Sequence, residues 1–426
     1  MQREGQLVIT FIHTADLHLD SPFKGIKQLE PQLFDAIYQS TFASFRELVT
    51  QAISAEVDFF LISGDIYDEE NQSVKAQAFL RDELGRLDRA GIPVYLSHGN
   101  HDFLGRESLK LQLPGNVTVF EKEVTTEILT TKAGERVAIT GFSYPSRWVE
   151  ERMIVDYPNR NHTVDYHIGM LHGYLEGLNS SEGVYAPFSL GELNAKNYDY
   201  WALGHIHKRQ QLQEAPPVVY CGNTQGRNPN ETEAKGAYLV TLRKGMLPTL
   251  TFLPTAPIVW EKEMMSLHGC KTLNDVLARI EERMEQHRAM SESSVLFSLQ
   301  FTDIQGLHPD VVKKIEDEEI LDGVRQRLEQ PFIYLYQLKI AVDTEKELFS
   351  FDQVMKESFS KSWTEISGDD VFYQQLDNFF QHPLVRTTFP DLKKDRSFKE
   401  EALAAAKKRI VQAVAFEEED SEDTED

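Results

Sequence analysis

The stretch "HTADLHLD", residues 13–20, directly follows the run Leu7-Val8-Ile9-Thr10-Phe11-Ile12. That run predicts a buried β-strand. Just beyond it stand a carboxylate, Asp16, and an imidazole, His18, two positions apart. Side chains at i and i+2 of extended backbone share a side, so the pair is expected to converge on one point. Outward along the chain the arrangement recurs. The run 57–62 precedes "SGDIYD", with Asp65 and Asp68, and the run 92–97 precedes "GNHD", with Asn100, His101 and Asp102. Apolar-periodic stretches at 32–55 and 73–90 separate these runs, which predicts a βαβαβ order and a largely parallel sheet flanked by helices. Ligands of such sheets gather at the carboxyl ends of the strands.

Beyond Asp102 shorter strand candidates occur at 117–120, 136–141, 166–171, 200–203, 218–221 and 238–242. They predict a second sheet, packed on the first as a sandwich. The polar pattern continues there: "MLHG" places His172 after 166–171, and "ALGHIH" places His205 and His207 after 200–203. Glycines 64, 99, 173 and 204 stand where backbone must turn tightly or approach an ion closely. Taken singly, D-x-H reads as a turn, G-N-H-D as a helix cap and His172 as a core histidine. Their recurrence at every strand end points to a metal centre.

Asp16, His18, Asp65, Asn100, His172, His205 and His207 supply seven donors without a thiolate. That is too many for one ion that also holds water and substrate, so two divalent ions sharing a bridging carboxylate are expected. Imidazole, carboxylate and amide donors suit manganese, with iron or zinc as alternatives. Two ions roughly 3.5–4 Å apart clamp the attacking and leaving oxygens of an in-line displacement, the chemistry of phosphoester hydrolysis.

Composition sets the remaining bounds. At 426 residues the chain has room for two or three domains. No apolar stretch is long enough to span a bilayer, and the N-terminal run lacks the form of a signal peptide, so a cytoplasmic protein without membrane contact is expected. Cys221 and Cys270, in no C-x-x-C spacing, exclude a disulfide framework and read as buried small hydrophobes. The net charge is −24, of which residues 1–260 carry −9 and residues 261–426 carry −15. Such acidity argues against a general electrostatic grip on nucleic acid.

The expected fold class is α/β: a two-sheet sandwich flanked by helices over residues 1–255, a small α+β domain over 256–343, and C-terminal helices. The small domain reads as strand, helix 273–290, strand 295–301, helix 309–328 and strand 332–342. Residues 344–416 read as a linker, through "LFSFDQVMKESFSKSWTEISGDD", feeding helices near 369–381 and 396–416. In the last of these Leu403, Ala406, Ile410 and Val414 fall on one face. Residues 417–426 read as an acidic disordered tail.

The ordered set D-x-H, G-D, G-N-H-D, H-G and G-H-x-H resembles the calcineurin-like metallophosphoesterases over roughly residues 7–250. The resemblance implies that Asp16, His18 and His207 bind the first metal, that Asp65 bridges, and that Asn100, His172 and His205 hold the second. It implies that His101 contacts the phosphate as general acid, oriented by Asp102. The phosphate-gripping arginine and G-N-H-E block of the related protein phosphatases are missing. The chain is more similar to the SbcD-type DNA repair exonucleases, and "HLDSPFKG" to their YhaO-type branch. That likeness implies a two-metal DNA exonuclease, a capping domain, and a C-terminal helix that docks on an SbcC-type coiled-coil ATPase; it also leaves room for a homodimer. Asp68 stands where some members carry a further histidine and is counted with the catalytic residues. Arg147, Arg152, Lys208, Arg209 and Arg227 are candidate contacts to a DNA backbone. A small-molecule or cyclic-nucleotide phosphodiesterase and, more distantly, a non-catalytic ATPase scaffold are the alternatives.

Overall fold

The computed structural model describes residues 8–21, 31–68, 72–104, 111–178, 183–324, 331–341, 353–382, 385–386, 392–394, 398–400 and 402–407. They fall into two compact units, residues 1–300 with 304–339, and residues 301–303 with 340–426. In the first unit the opening run forms β1 (Val8–Thr14), succeeded by α1 (Pro31–Ser54), β2 (Phe59–Ser63), α2 (Val74–Arg89), β3 (Val94–Ser97) and β4 (Val117–Val119). The four strands run parallel, with His13 opposite Leu61 and Ile62 opposite Leu96. Both faces of this sheet are covered, which is why its strands read as continuous apolar runs. Phe59 and Leu61 turn toward the second sheet, whereas Phe60 and Ile62 pack under α1 and α2 with Phe45, Leu48 and Leu84.

The second sheet is built from β5 (Thr125–Thr130), β6 (Arg136–Gly141), β7 (Tyr166–His172), β8 (Tyr200–Gly204), β9 (Gln210–Glu214) and β10 (Pro217–Tyr220), in the order β5-β6-β7-β8-β10-β9. A short helix, α3 (Leu190–Ala195), precedes β8 and carries a capping box between Ser189 and Glu192. The chain then returns to the first sheet with β11 (Gly236–Arg243) and β12 (Thr249–Pro254), giving the order β12-β11-β1-β2-β3-β4. The expected sandwich is therefore present. Its allocation of strands is corrected: 117–120 and 238–242, expected in the second sheet, belong to the first. β11 pairs antiparallel with β1 from Val8↔Arg243 to His13↔Tyr238, a long-range choice of partner that an apolar run does not encode. Between the sheets Phe11 stacks on Phe59 at 4.8 Å and meets Tyr200 edge-on at 5.3 Å.

After β12 the chain forms β13 (Ile258–Ser266), α4 (Leu273–Met290), β14 (Ser294–Thr302), α5 (Pro309–Glu316), α6 (Glu319–Gly323) and β15 (Ile333–Ile340), with the strands in one sheet ordered β13-β14-β15. The expected single helix over 309–328 is broken, because Glu318 adopts a left-handed φ of 58° between α5 and α6. Ile258, Trp260, Leu296 and Phe332 pack against Leu33 and Ile37 of α1. In the second unit, the stretch expected to be a linker contains the helix α7 (Gln353–Ile366). Phe359 and Trp363, one turn apart, stack at 5.9 Å on its surface, an apolar pair among scattered charges. Two short helices come next, α8 (Asp369–Gln375) and α9 (Asp377–Gln381). Of the expected helix 396–416, residues 398–400 and 402–407 are helical, with Leu403 and Ala406 among them; Ile410, Val414 and the tail 417–426 lie outside the described residues. Both cysteines are free and buried. No helix among the described residues is long and apolar enough to cross a membrane.

Candidate metal centre

β1, β2 and β3 end at one edge of the first sheet, and β7 and β8 end beside them in the second. The five strand ends converge. Asp16, His18 and His207 present ligand atoms within 4.8 Å of one another, and so do Asp16, Asp65 and His172. Asp65 Oδ2 lies 3.8 Å from His18 Nε2 and 3.4 Å from His172 Nε2, between the two groups. Asn100 Oδ1 is 3.0 Å from His172 Nε2. The rings of His205 and His172 are 5.2 Å apart, and His205 Nε2 donates to the Gly183 carbonyl at 2.6 Å, which leaves Nδ1 for a cation. All seven expected ligands are thus gathered.

The backbone achieves this in a way the i, i+2 argument did not foresee. Asp16 and His18 are not extended; their φ angles are 52° and 43°, and those of Asp65 and His205 are 51° and 99°. Left-handed backbone at non-glycine residues costs energy and persists where the surroundings fix it. Here Asp16 N donates to Gly64 O at 3.1 Å and His18 N to Asp65 O at 3.1 Å, so one turn splints the other. Glycine is required between them for room. A Cβ on Gly99 would lie 2.3 Å from Asp65 Oδ1, and one on Gly204 would lie 2.0 Å from the Ser63 carbonyl.

The donor set fits divalent cations. His207 Nδ1 is hydrogen-bonded to Glu231 at 3.1 Å, which places its proton there, and His18 Nδ1 lies 3.1 Å from the Asp68 carboxylate. The two Nε2 atoms then face each other across 3.1 Å. His172 Nδ1 donates to Ser63 O at 3.0 Å, which turns its Nε2 toward Asn100 Oδ1 and Asp65. Imidazole nitrogens, carboxylates and an amide oxygen gathered this closely in a buried site suit a cation between them. The electrostatics of His18 and His205 favour neutral imidazoles. Burial, and next the Arg227 charge, push His18 down to about 3, and burial with the neighbouring His172 pushes His205 down to about 3. Burial acts the same way on His172, but the charge of Asp65 and its hydrogen bond outweigh it and raise that group to about 9. Burial raises Asp16 to about 6, while Asp65, despite its burial, is held well below the usual carboxylate range by His172 and His101.

A cleft of about 120 Å³ opens beside these groups, lined by Asp65, Asn100, His101, Arg147, Gly183, Tyr185, His205 and His207. His101 is held by its backbone N–H on Asp65 Oδ1 at 3.0 Å, and its Nδ1 donates to the Asp68 carbonyl at 2.8 Å. The expectation that Asp102 orients His101 is corrected. Asp102 accepts from Gly99 N at 2.8 Å and Ile66 N at 2.9 Å and faces His98 Nδ1 at 3.2 Å, so it ties the loops after β2 and β3 together. The Asp68 carboxylate meets His18 and Arg227, and its carbonyl accepts from His101, so it stands behind both imidazoles.

Of the cations expected to meet DNA, Arg147 lines the cleft. Arg227 is engaged by Asp68 and Glu231, Arg209 stacks on Phe252 at 3.7 Å, and Arg152 pairs with Glu176 and Glu192. Lys208 is exposed. Sequence reasoning missed Glu231, a lone glutamate 24 positions after the histidine it faces, and Tyr144, whose hydroxyl donates to His172 O at 2.7 Å. Neither belongs to a spaced motif.

The calcineurin-like phosphoesterase family matches residues 9–209. An uncharacterized metallophosphoesterase, YhaO of Bacillus subtilis, is 38% identical over 387 residues, covering 89% of this chain and 91% of the relative. The chain is a calcineurin-like metallophosphoesterase. The DNA double-strand break repair protein Mre11 of Methanocaldococcus jannaschii is 28% identical over 54% of the metallophosphoesterase and 62% of its own length. Among solved structures, a dimetal phosphatase from Danio rerio aligns with 57% of this metallophosphoesterase and 98% of its own chain, at 12% identity and a TM-score of 0.35.

Proposed function

We propose that this metallophosphoesterase is a two-metal phosphodiesterase that degrades DNA from its ends in repair, together with an SbcC-type coiled-coil ATPase. The position of Asp65 Oδ2 between two groups of donors, 3.8 Å from His18 Nε2 and 3.4 Å from His172 Nε2, carries the two-metal reading. The choice of DNA is supported by the Mre11 relatives, which are double-strand break repair proteins. Residues 256–343 are taken as a cap and residues 396–416 as the docking region for the ATPase.

Asp16, His18 and His207 would hold one ion, Asn100, His172 and His205 the other, and Asp65 both; the mixed imidazole and oxygen donors suit manganese, iron or zinc, and manganese is the ion proposed. When bound, two such ions supply Lewis acidity at the phosphate and a nucleophile at neutral pH. The protein's own groups do the rest. With Nδ1–H given to the Asp68 carbonyl, His101 keeps Nε2 for the cleft, where in its protonated form it hands a proton to the leaving oxygen. Arg147 on the same wall meets the negative charge of the phosphodiester.

The test is Mn²⁺-dependent digestion of an end-labelled linear duplex by the purified chain, beside His101→Ala from the same preparation. Nucleotide loss by the parent, reduced about 10²–10⁴-fold in the variant with metal content unchanged, is the expected outcome. Turnover of cyclic nucleotides in preference to DNA would overturn the substrate, and equal digestion by both proteins would overturn the role of His101.

A further inference from the structure

Between the strand-end histidines and the three-stranded sheet lies a loop, residues 221–235, that no motif singled out. Its Glu231 faces His207 Nδ1 at 3.1 Å and accepts from Arg227 N at 2.9 Å and from the Asn223 side chain. Its Lys235 donates to the His207 carbonyl at 2.9 Å. Its Arg227 side chain, 14% exposed, reaches the Asp68 carboxylate through Nη1, while Nη2 lies 3.5 Å from His207 Nδ1 and 3.8 Å from Glu231 Oε1. Asp68 in turn faces His18 Nδ1 at 3.1 Å. One guanidinium therefore joins the two carboxylates that stand behind the two imidazoles of the same triad. The loop is seated on the neighbouring sheet, since Trp260 Nε1 donates to Gly226 O at 3.0 Å and Gln225 Nε2 to Ile258 O at 2.7 Å.

Two buried carboxylates this close repel each other and would swing away from their histidines without a cation between them. A planar fork suits the task better than an ammonium, because it can meet both partners from one fixed plane. We propose that Arg227 is a positioning residue: by bridging Asp68 and Glu231 it orients His18 and His207 and so sets how tightly the first ion is held, leaving the second ion's residues untouched. This rests on the reading of Asp16, His18 and His207 as ligands of the first ion. It assigns Arg227 a task inside the protein, in place of the DNA contact expected from its charge.

The experiment titrates Mn²⁺ into the chelator-stripped full chain by calorimetry, with electron paramagnetic resonance of the loaded protein as a second readout. Arg227→Met is expected to weaken one of two sites about 10- to 100-fold, the usual cost of losing an outer partner, and to leave the other at parent affinity. The exchange-coupled signal of the parent should give way to that of an isolated Mn²⁺. Arg227→Lys, which keeps the charge without the fork, should fall between; parent affinity in that variant would overturn the bridging role. If Arg227→Met does not fold, Glu231→Gln carries the same expectation. His207→Ala serves as the reference. Loss of one ion there with two undiminished sites in Arg227→Met and Glu231→Gln overturns this inference alone, whereas two ions retained in His207→Ala overturns the ligand reading and this inference with it.

Discussion

At the scale of single residues, Asp65 is the group whose position decides the chemistry. It stands 3.4 Å from His172 Nε2 and 3.8 Å from His18 Nε2, and its other oxygen fixes the backbone of His101. Removing its charge while keeping its shape should therefore weaken both ions. Asp65→Asn is expected to show two weakened sites in a metal titration, unlike Arg227→Met, and two undiminished sites would rule out the bridging role. The residue types of the centre were legible because each came after an apolar run. Their conformations were not: left-handed backbone at Asp16, His18, Asp65 and His205 is imposed by the packing of one strand-end turn on another, which no local spacing records. For the same reason Asp102 was misplaced. Adjacency to His101 in sequence suggested contact, yet both its oxygens turn to backbone amides of Gly99 and Ile66.

At the scale of elements, alternation and run length announced most strands, and α1, α2 and α4 lie within a residue or two of the expected bounds. What they could not announce was partnership, so 238–242 was expected in the wrong sheet. A buried histidine shows how partnership across the sandwich becomes measurable. His13 of β1 faces the Tyr200 hydroxyl at 2.9 Å and donates Nε2–H to Leu203 O at 3.1 Å, tying the first sheet to β8. Burial depresses it to about 3, against an ordinary value near 6.5. Between those values the unfolded chain takes up a proton that the folded chain refuses, so stability falls as pH drops below 6.5. From pH 6.5 to 4.5 this one group should cost up to about 2–3 kcal/mol. His13→Gln should be less stable at pH 7, by roughly 1–3 kcal/mol for the disturbed hydrogen bonds, but should lose less on acidification. Urea unfolding of the chelator-stripped proteins across that range measures both slopes, and parallel slopes would show that His13 does not titrate as its burial dictates.

At the scale of the whole molecule, charge and proposed substrate oppose each other. The chain carries a net −24, and residues 1–260, which contain the metal centre, carry −9. Non-specific affinity for duplex DNA comes mainly from cations that displace counterions, with log K falling against log salt by about 0.9 per phosphate contacted. Five cations near the centre were expected to supply such contacts, but carboxylates engage Arg227 and Arg152. Arg147 in the cleft, with Arg209 and Lys208, is left to meet phosphates, enough for a slope of about −1 to −3. The isolated chain is therefore expected to bind duplex DNA weakly and to depend on an ATPase partner for residence on its substrate. Fluorescence anisotropy with a labelled duplex, over a series of salt concentrations, reads affinity and slope together. Nanomolar binding at physiological salt, or a slope several-fold steeper, would mean that the chain carries its own DNA-binding surface and would remove the electrostatic reason for a partner.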